Sequence, residues 1–259
     1  MSTHLSSLEF PWMTEFGKTV DEARATGTAV ILCGDGTSGK RRALEAQARR
    51  VRAEDEGTVV SVRLQPESDV IKHLHTLVDE ITPWSIPRDW RRNNVNRMVR
   101  TLVRRLCQQD VGLLMLSNCQ VLDHISYGVI FDVLGEVRGV GQKCGLVMAG
   151  RGQVQNFVHD TRAHQGTIRQ YARIPQMTVG DVMAALNAWC RADKLSAKAE
   201  RGDEAAQDVI AKIQEGTGGN IGRLAAFAEV KNRRFAKRDF SEELVDDIFL
   251  SLRHPDPEK

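Results

Sequence analysis

Apolar positions along this chain recur at two alternating periods, and that alternation predicts an order of elements before any motif is considered. Residues 10–25 mix apolar and polar side chains at helical spacing, and 28–32 read as a short apolar strand ending near Gly34. A helix follows over 40–50. Thr58 to Leu64 then forms a β-branched run closed by Pro66, the pattern of a strand. Val70, Ile71, Leu74, Leu77, Val78 and Ile81 return at steps of three and four, which predicts an amphipathic helix over 68–81 ended by Pro83 and Pro87. A basic helix is expected from about Trp90 to Gln109. Continuously apolar runs at 111–116 and 144–149 have the signature of strands buried on both faces, with a helix over 124–137 between them.

Strand, loop, helix and strand in this succession are the beginning of a parallel α/β sheet. After Pro175 the strand pattern stops, and 179–191, 203–215, 221–237 and 241–252 all read as helices. The expected architecture is therefore an α/β fold, with a parallel sheet flanked by helices over residues 1–175 and a small helical lid domain over 176–259, frayed beyond His254.

Composition narrows the classes of function. With 36 basic residues against 34 acidic ones in 259, the net charge of +2 supplies no global field, so any contact with nucleic acid must come from a local patch. Cys33, Cys107, Cys119, Cys144 and Cys190 are scattered without the paired spacing of zinc or redox sites, and small apolar packing is their expected role. The first ten residues lack a secretory pattern, and no uncharged apolar run approaches the ~20 residues of a spanning helix. A cytoplasmic protein without a membrane partner is expected.

The strongest chemical signal is Gly34-Asp35-Gly36-Thr37-Ser38-Gly39-Lys40-Arg41, the G-x-x-x-x-G-K spacing set between a predicted strand and a predicted helix. Glycines permit the tight curl that points successive N–H groups at phosphate oxygens. The helix N-terminus adds partial positive charge, and Lys40 reaches the terminal phosphates. An ordinary glycine-rich turn lacks that context. Arg41 departs from the motif, because the hydroxyl that ligates magnesium is expected there and a guanidinium cannot ligate a cation. Thr37 or Ser38 would be partial substitutes at best.

A hydrolytic site also needs a carboxylate at the end of a buried strand, usually with a glutamate beside it. The strand at 111–116 is followed instead by Ser117 and Asn118, the residues at the catalytic positions, and Asp123 lies well past the strand end. Asn118 could orient a water but cannot take its proton. The other buried strand ends in Gly150-Arg151, which is no better. Slow or absent hydrolysis follows, with magnesium ligands degenerate and no dedicated metal site.

Together, the helix before the loop, the Gly34 to Lys40 loop, the Pro66-x-Ser68 element, the strands ending at Ser117 and Gly150 and the helical tail resemble the AAA+ transposition regulators of the TniB, TnsC and MuB kind. The resemblance spans residues 10–252, and only the phosphate loop is specific by itself. It implies an ATP- or ADP-binding protein that oligomerises with its own copies on duplex target DNA and recruits or stimulates a transposase in DNA recombination. It places Ser117 and Asn118 at the Walker B pair, Arg151 at the sensor-1 position and Arg223, after Gly218-Gly219, at the start of the sensor-2 helix. Arg169 or Arg173 falls where a neighbouring subunit's arginine finger would lie, although a solvated surface charge explains either as well. An active NTPase of the helicase-loader or initiator type is the alternative.

Seven arginines between Arg88 and Arg105 face one acid, Asp89. On a helix Arg97, Arg100 and Arg104 share one face, apart from a stripe of Val95, Val99, Leu102 and Leu106. With Arg91 and Arg92, and with Trp84 and Trp90 in the preceding loop, that row suits phosphate contacts along duplex DNA. It would serve equally as a solvated face or a protein contact.

Overall fold

A computed structural model describes residues 10–54, 58–66, 69–81, 94–152, 154 and 168–253. Among them, five strands form one parallel sheet: β1 (Ala29–Cys33), β2 (Thr58–Arg63), β3 (Val111–Ser117), β4 (Gly145–Gly150) and β5 (Ile168–Arg173), in the order β2-β3-β4-β1-β5. β1 lies between β4 and β5, with Cys33 in register with Gly150 on one side and with Arg173 on the other.

Strand alternation sorts the core onto two faces. Ile31, Val60, Leu114, Leu116, Leu146 and Met148 point to the face covered by α3 (Val70–Ile81), α4 (Val95–Gln108) and α5 (His124–Gly139). Val30, Leu32, Leu113, Met115 and Val147 point to the other, against Phe16 and Val20 of α1 (Pro11–Thr26) and Leu44 and Val51 of α2 (Lys40–Glu54). Because both faces are covered, β1 and β4 are apolar at nearly every position, which is why they read as continuous runs in the sequence. β5 is absent from the elements that the hydrophobic pattern predicts. Its sequence, Ile-Arg-Gln-Tyr-Ala-Arg, lacks an apolar run, as befits a strand paired on only one side.

The arginine-rich helix runs from Val95, and residues 90–93, where an earlier start was expected, lie outside the described residues. Asn94 keeps extended backbone angles and its side chain accepts the Arg97 N–H at 3.2 Å, which caps the helix at that point.

Five helices follow the sheet: α6 (Val179–Cys190), α7 (Asp193–Glu200), α8 (Glu204–Thr217), α9 (Ile221–Arg234) and α10 (Glu242–Arg253). A capping box between Thr178 and Asp181 starts α6. α7 leaves little trace in the sequence because its eight residues bury only Leu195, Ser196 and Ala199. Between α8 and α9 the chain passes through Gly218 and Gly219, both left-handed at φ +59° and +61°, and Asn220 then caps α9 by accepting from the N–H groups of Gly222 and Arg223. Val182, Leu186, Ile213, Leu224, Phe227, Leu244 and Ile248 form the apolar interior, with the Phe227 and Phe249 rings 5.3 Å apart.

The chain divides into two compact units. Among the described residues, one comprises Trp12–Gly36 and Lys40–Ile174; the other holds residues 175–253 together with the three loop residues Thr37–Gly39 and residues 10–11. None of the described helices is long and apolar enough to cross a membrane.

Candidate functional site

The glycine-rich loop leaves the buried C-terminal end of β1 and enters α2 at Lys40. Gly34 N–H donates to the Gly150 carbonyl at 3.2 Å, so the end of β4 fixes where the loop departs. Lys40 folds back along the loop, its ammonium donating to the carbonyl of Gly34 at 2.6 Å and to that of Asp35. Burial lowers its pKa from the ordinary lysine value, and the positive charge of Arg151 adds to that. Asp35 and Cys33 act in the opposite direction.

Within the helical unit the loop tip is held by the start of α9. Gly222 N–H donates to the Thr37 carbonyl at 2.9 Å. A methyl group on Gly222 would stand 2.2 Å from that oxygen, so only glycine permits the approach. Gly39 has φ +89°, and a methyl there would meet Ile221 Cγ2 at 2.4 Å. Arg223 stands out in the sequence and Gly222 does not, because the role of Gly222 depends on this contact. Arg223 itself is exposed, and its guanidinium extends back beside Gly218.

Arg41 is turned away along α2, where its Nε donates to Glu45 Oε1 at 2.8 Å one helical turn on. At the end of β3 both polar residues bond to backbone of β2 or of the residue just after it. Ser117 Oγ donates to the Val62 carbonyl at 3.4 Å, and Asn118 Nδ2 donates to the Leu64 carbonyl at 2.9 Å. Asn118 adopts the left-handed conformation, φ +68°, and its Oδ1 accepts from Gln120 Nε2. These bonds close the β2–β3 edge. Gln120, which carries no signal in the sequence, keeps a buried Oε1 with no hydrogen-bond donor among the described residues, close to Gly150.

Asp123, the nearest acid downstream, caps α5 by accepting the Ser126 N–H at 2.7 Å. Burial alone would raise its carboxyl, but hydrogen bonds from Ser126 and the nearby His124 and His73 hold it below the ordinary aspartate value. Among the described residues no three His, Cys, Asp or Glu side chains gather in a metal-binding group. The residues in the Walker positions therefore do not fit a P-loop magnesium ion: the hydroxyl position is a guanidinium paired with Glu45, and the strand-end position carries neutral groups already bonded to backbone.

The remaining candidates are more widely placed. Arg173 is exposed at the C-terminal end of β5, level with Cys33. Arg169 lies in the same strand, and its side chain is outside the described residues. Arg97, Arg100 and Arg104 are all exposed on α4, whose opposite face buries Met98, Val99, Leu102 and Leu106. Arg91, Arg92, Trp84 and Trp90 lie outside the described residues. None of the five cysteines, all of them among the described residues, is in a disulfide, and burial pushes the thiols of Cys144 and Cys190 up to about 12, in keeping with packing rather than reactivity.

No protein-family model matches the sequence, and no curated protein matches it. Solved structures do match. The ORC2 protein of Aeropyrum pernix in its ADPNP–ADP complexes aligns with 96% of this chain and 71% of its own, at TM-score 0.64 and 14% identity. Domain III of the replication initiation protein DnaA from Thermotoga maritima aligns with 97% of this chain and 95% of its own, at TM-score 0.56 and 16% identity. The fold is that of the AAA+ P-loop ATPases. A third match, the Aeropyrum pernix ORC1 protein in complex with DNA, covers 93% of this chain and 64% of its own, at TM-score 0.61 and 13% identity. The chain thus spans about two thirds of the two ORC chains.

These matches correct one expectation. The solved structures that align with almost the whole of this chain are ORC proteins and a replication initiation protein, so the reading as a TniB- or TnsC-like regulator of transposition and DNA recombination is not upheld, and with it goes the expectation of a transposase partner. The error has a plain cause. A phosphate loop on this sheet with helices after it is shared across the superfamily, and no residue quoted for the resemblance separates its branches.

Proposed function

We propose that this chain is a nucleotide-binding AAA+ protein of the initiator or helicase-loader type, which binds ATP or ADP through the Gly34 to Lys40 loop and associates with duplex DNA and with copies of itself. The observation that carries the proposal is the loop's setting: Lys40 follows a buried strand, opens a helix and aims its ammonium into the loop. Similar structures were solved with ADPNP and ADP, and one with DNA, which supports the same partners here.

Hydrolysis is slow in this reading, because Ser117 and Asn118 bond to backbone of β2 and of Leu64 after it, and among the described residues no carboxylate stands at the end of β3 to activate water. The protein acts as a switch whose bound nucleotide sets its affinity for DNA. Arg97, Arg100 and Arg104 are its DNA-facing residues, a row of cations on one exposed face of α4 giving affinity without sequence choice. Arg223 and Arg173 are candidate phosphate contacts, in cis and from a neighbouring copy.

Fluorescence anisotropy of a labelled duplex, measured without nucleotide, with ADP and with ATP, tests the reading. Binding that tightens with ATP and rises cooperatively supports it. Binding of equal strength in all three conditions contradicts a nucleotide switch, and no binding in any contradicts the DNA assignment.

A further inference from the structure

Arg151 is the first residue after β4, and the register of β4 against β1 places it beside the start of the phosphate loop: Cys33 pairs with Gly150, and Gly34 N–H donates to the Gly150 carbonyl. Its guanidinium lies over the loop. A methyl group built on Gly36 would be 3.5 Å from Arg151 Nη2 and 3.9 Å from Nε. The side chain is exposed, and among the described residues no carboxylate pairs with it. It is close enough to Lys40 for its charge to depress that lysine's pKa. Two cations therefore share one glycine loop; Asp35 offsets part of their repulsion, and an anion bound between them would meet both.

The same site lacks what a divalent cation would need. The position next to Lys40 carries Arg41, paired with Glu45, and the end of β3 offers Ser117 and Asn118, both bonded to β2 and the residues after it. An arginine fork presents planar donors that suit two phosphate oxygens at once, and it supplies positive charge where the metal would otherwise supply it.

We propose that Arg151 is a phosphate-binding residue that stands in for the divalent cation, so that this protein binds nucleoside di- and triphosphates without magnesium. The proposal rests on nucleotide binding at the Gly34 to Lys40 loop and concerns how the phosphate charge is met there. Lys40 and Arg151 approach the phosphates from the helix side and the β4 side of the loop. The exchange requires Lys40 to give up the loop carbonyls it now holds, whereas the Arg151 guanidinium makes no such bond among the described residues.

Equilibrium titration of the full chain with a fluorescent ATP analogue, in saturating magnesium and in excess EDTA, provides the test, with Arg151→Ala and Arg151→Lys beside the parent. The expected result is parent affinity within about threefold in the two buffers, a loss of about tenfold or more in Arg151→Ala in both, and partial recovery in Arg151→Lys. Thermal melting of the variants should match the parent, because the side chain is exposed. Parent binding that weakens more than about threefold in EDTA, or an Arg151→Ala protein that binds like the parent, overturns the proposal while leaving nucleotide binding intact. Absence of binding in both buffers overturns the nucleotide reading and this proposal together.

Discussion

Replacing Gly222 by alanine tests how the loop tip is held. The new methyl would lie 2.2 Å from the Thr37 carbonyl oxygen and 3.0 Å from Thr37 C and Cβ. Backbone on one side and a capped helix start on the other leave no flexible side chain to move aside. Either the Gly222 N–H to Thr37 bond of 2.9 Å breaks, or the tip shifts. Loss of that bond costs about 1 kcal/mol and overpacking about 1–3 kcal/mol more, a total of roughly 2–4 kcal/mol. For a chain of this length that corresponds to a fall in melting temperature of about 4–16 °C. Thr37 and Gly39 belong to the phosphate loop, so nucleotide affinity should fall as well. Differential scanning fluorimetry and nucleotide titration on the same protein provide the assay. A Gly222→Ala protein that melts within about a degree of the parent and binds nucleotide unchanged would refute this packing of α9 against the loop tip.

Other outcomes follow from the same geometry. Gly128 and Gly135 lie within α5 with open space where a methyl would go, so alanine at either should stabilise by about 0.5–1 kcal/mol, readable by urea denaturation. The pKa of Lys40 is lowered in the free protein, chiefly by burial, and a bound phosphate would raise it. Nucleotide affinity should therefore be flat below the lowered value and fall as pH rises through it, since the free protein then loses a proton that the complex keeps. Affinity that stays constant up to the ordinary lysine value of 10.5 would contradict this. Changing Arg97, Arg100 and Arg104 together to alanine should weaken duplex binding and reduce the slope of log affinity against log salt by about 2.7, three phosphate contacts at ~0.9 each. An unchanged slope would assign the row to another partner.

The sheet is legible in the sequence wherever burial on both faces makes a strand continuously apolar, as in 111–116 and 144–149, and so is the setting of the glycine-rich loop, whose spacing falls between a strand and a helix. β5 is not, since Arg169, Gln170 and Arg173 break any hydrophobic pattern and only pairing with β1 makes that segment a strand. Chemistry that depends on register is equally hidden. The sequence shows Arg151 following its strand, but its position over Gly36 comes from Cys33 lying level with Gly150. Asn118 reads in the sequence as a free amide that could hold a water. In the fold its left-handed backbone turns it to Leu64 and Gln120. A role in transposition is not legible either, because the motifs that suggest it are shared by many proteins of this fold, and its correction comes from similarity of fold along almost the whole chain.

The central claim is that Gly34 to Lys40 hold the phosphates of a nucleotide, and isothermal titration calorimetry of ATP and ADP into the parent and Lys40→Ala proteins tests it most directly. Saturable binding of one nucleotide per chain is expected, weakened about tenfold to a hundredfold by Lys40→Ala through loss of a charge-assisted bond to phosphate. Parent protein that releases no binding heat and shows no competition with a fluorescent nucleotide, or a Lys40→Ala variant that binds as tightly as the parent, would contradict it.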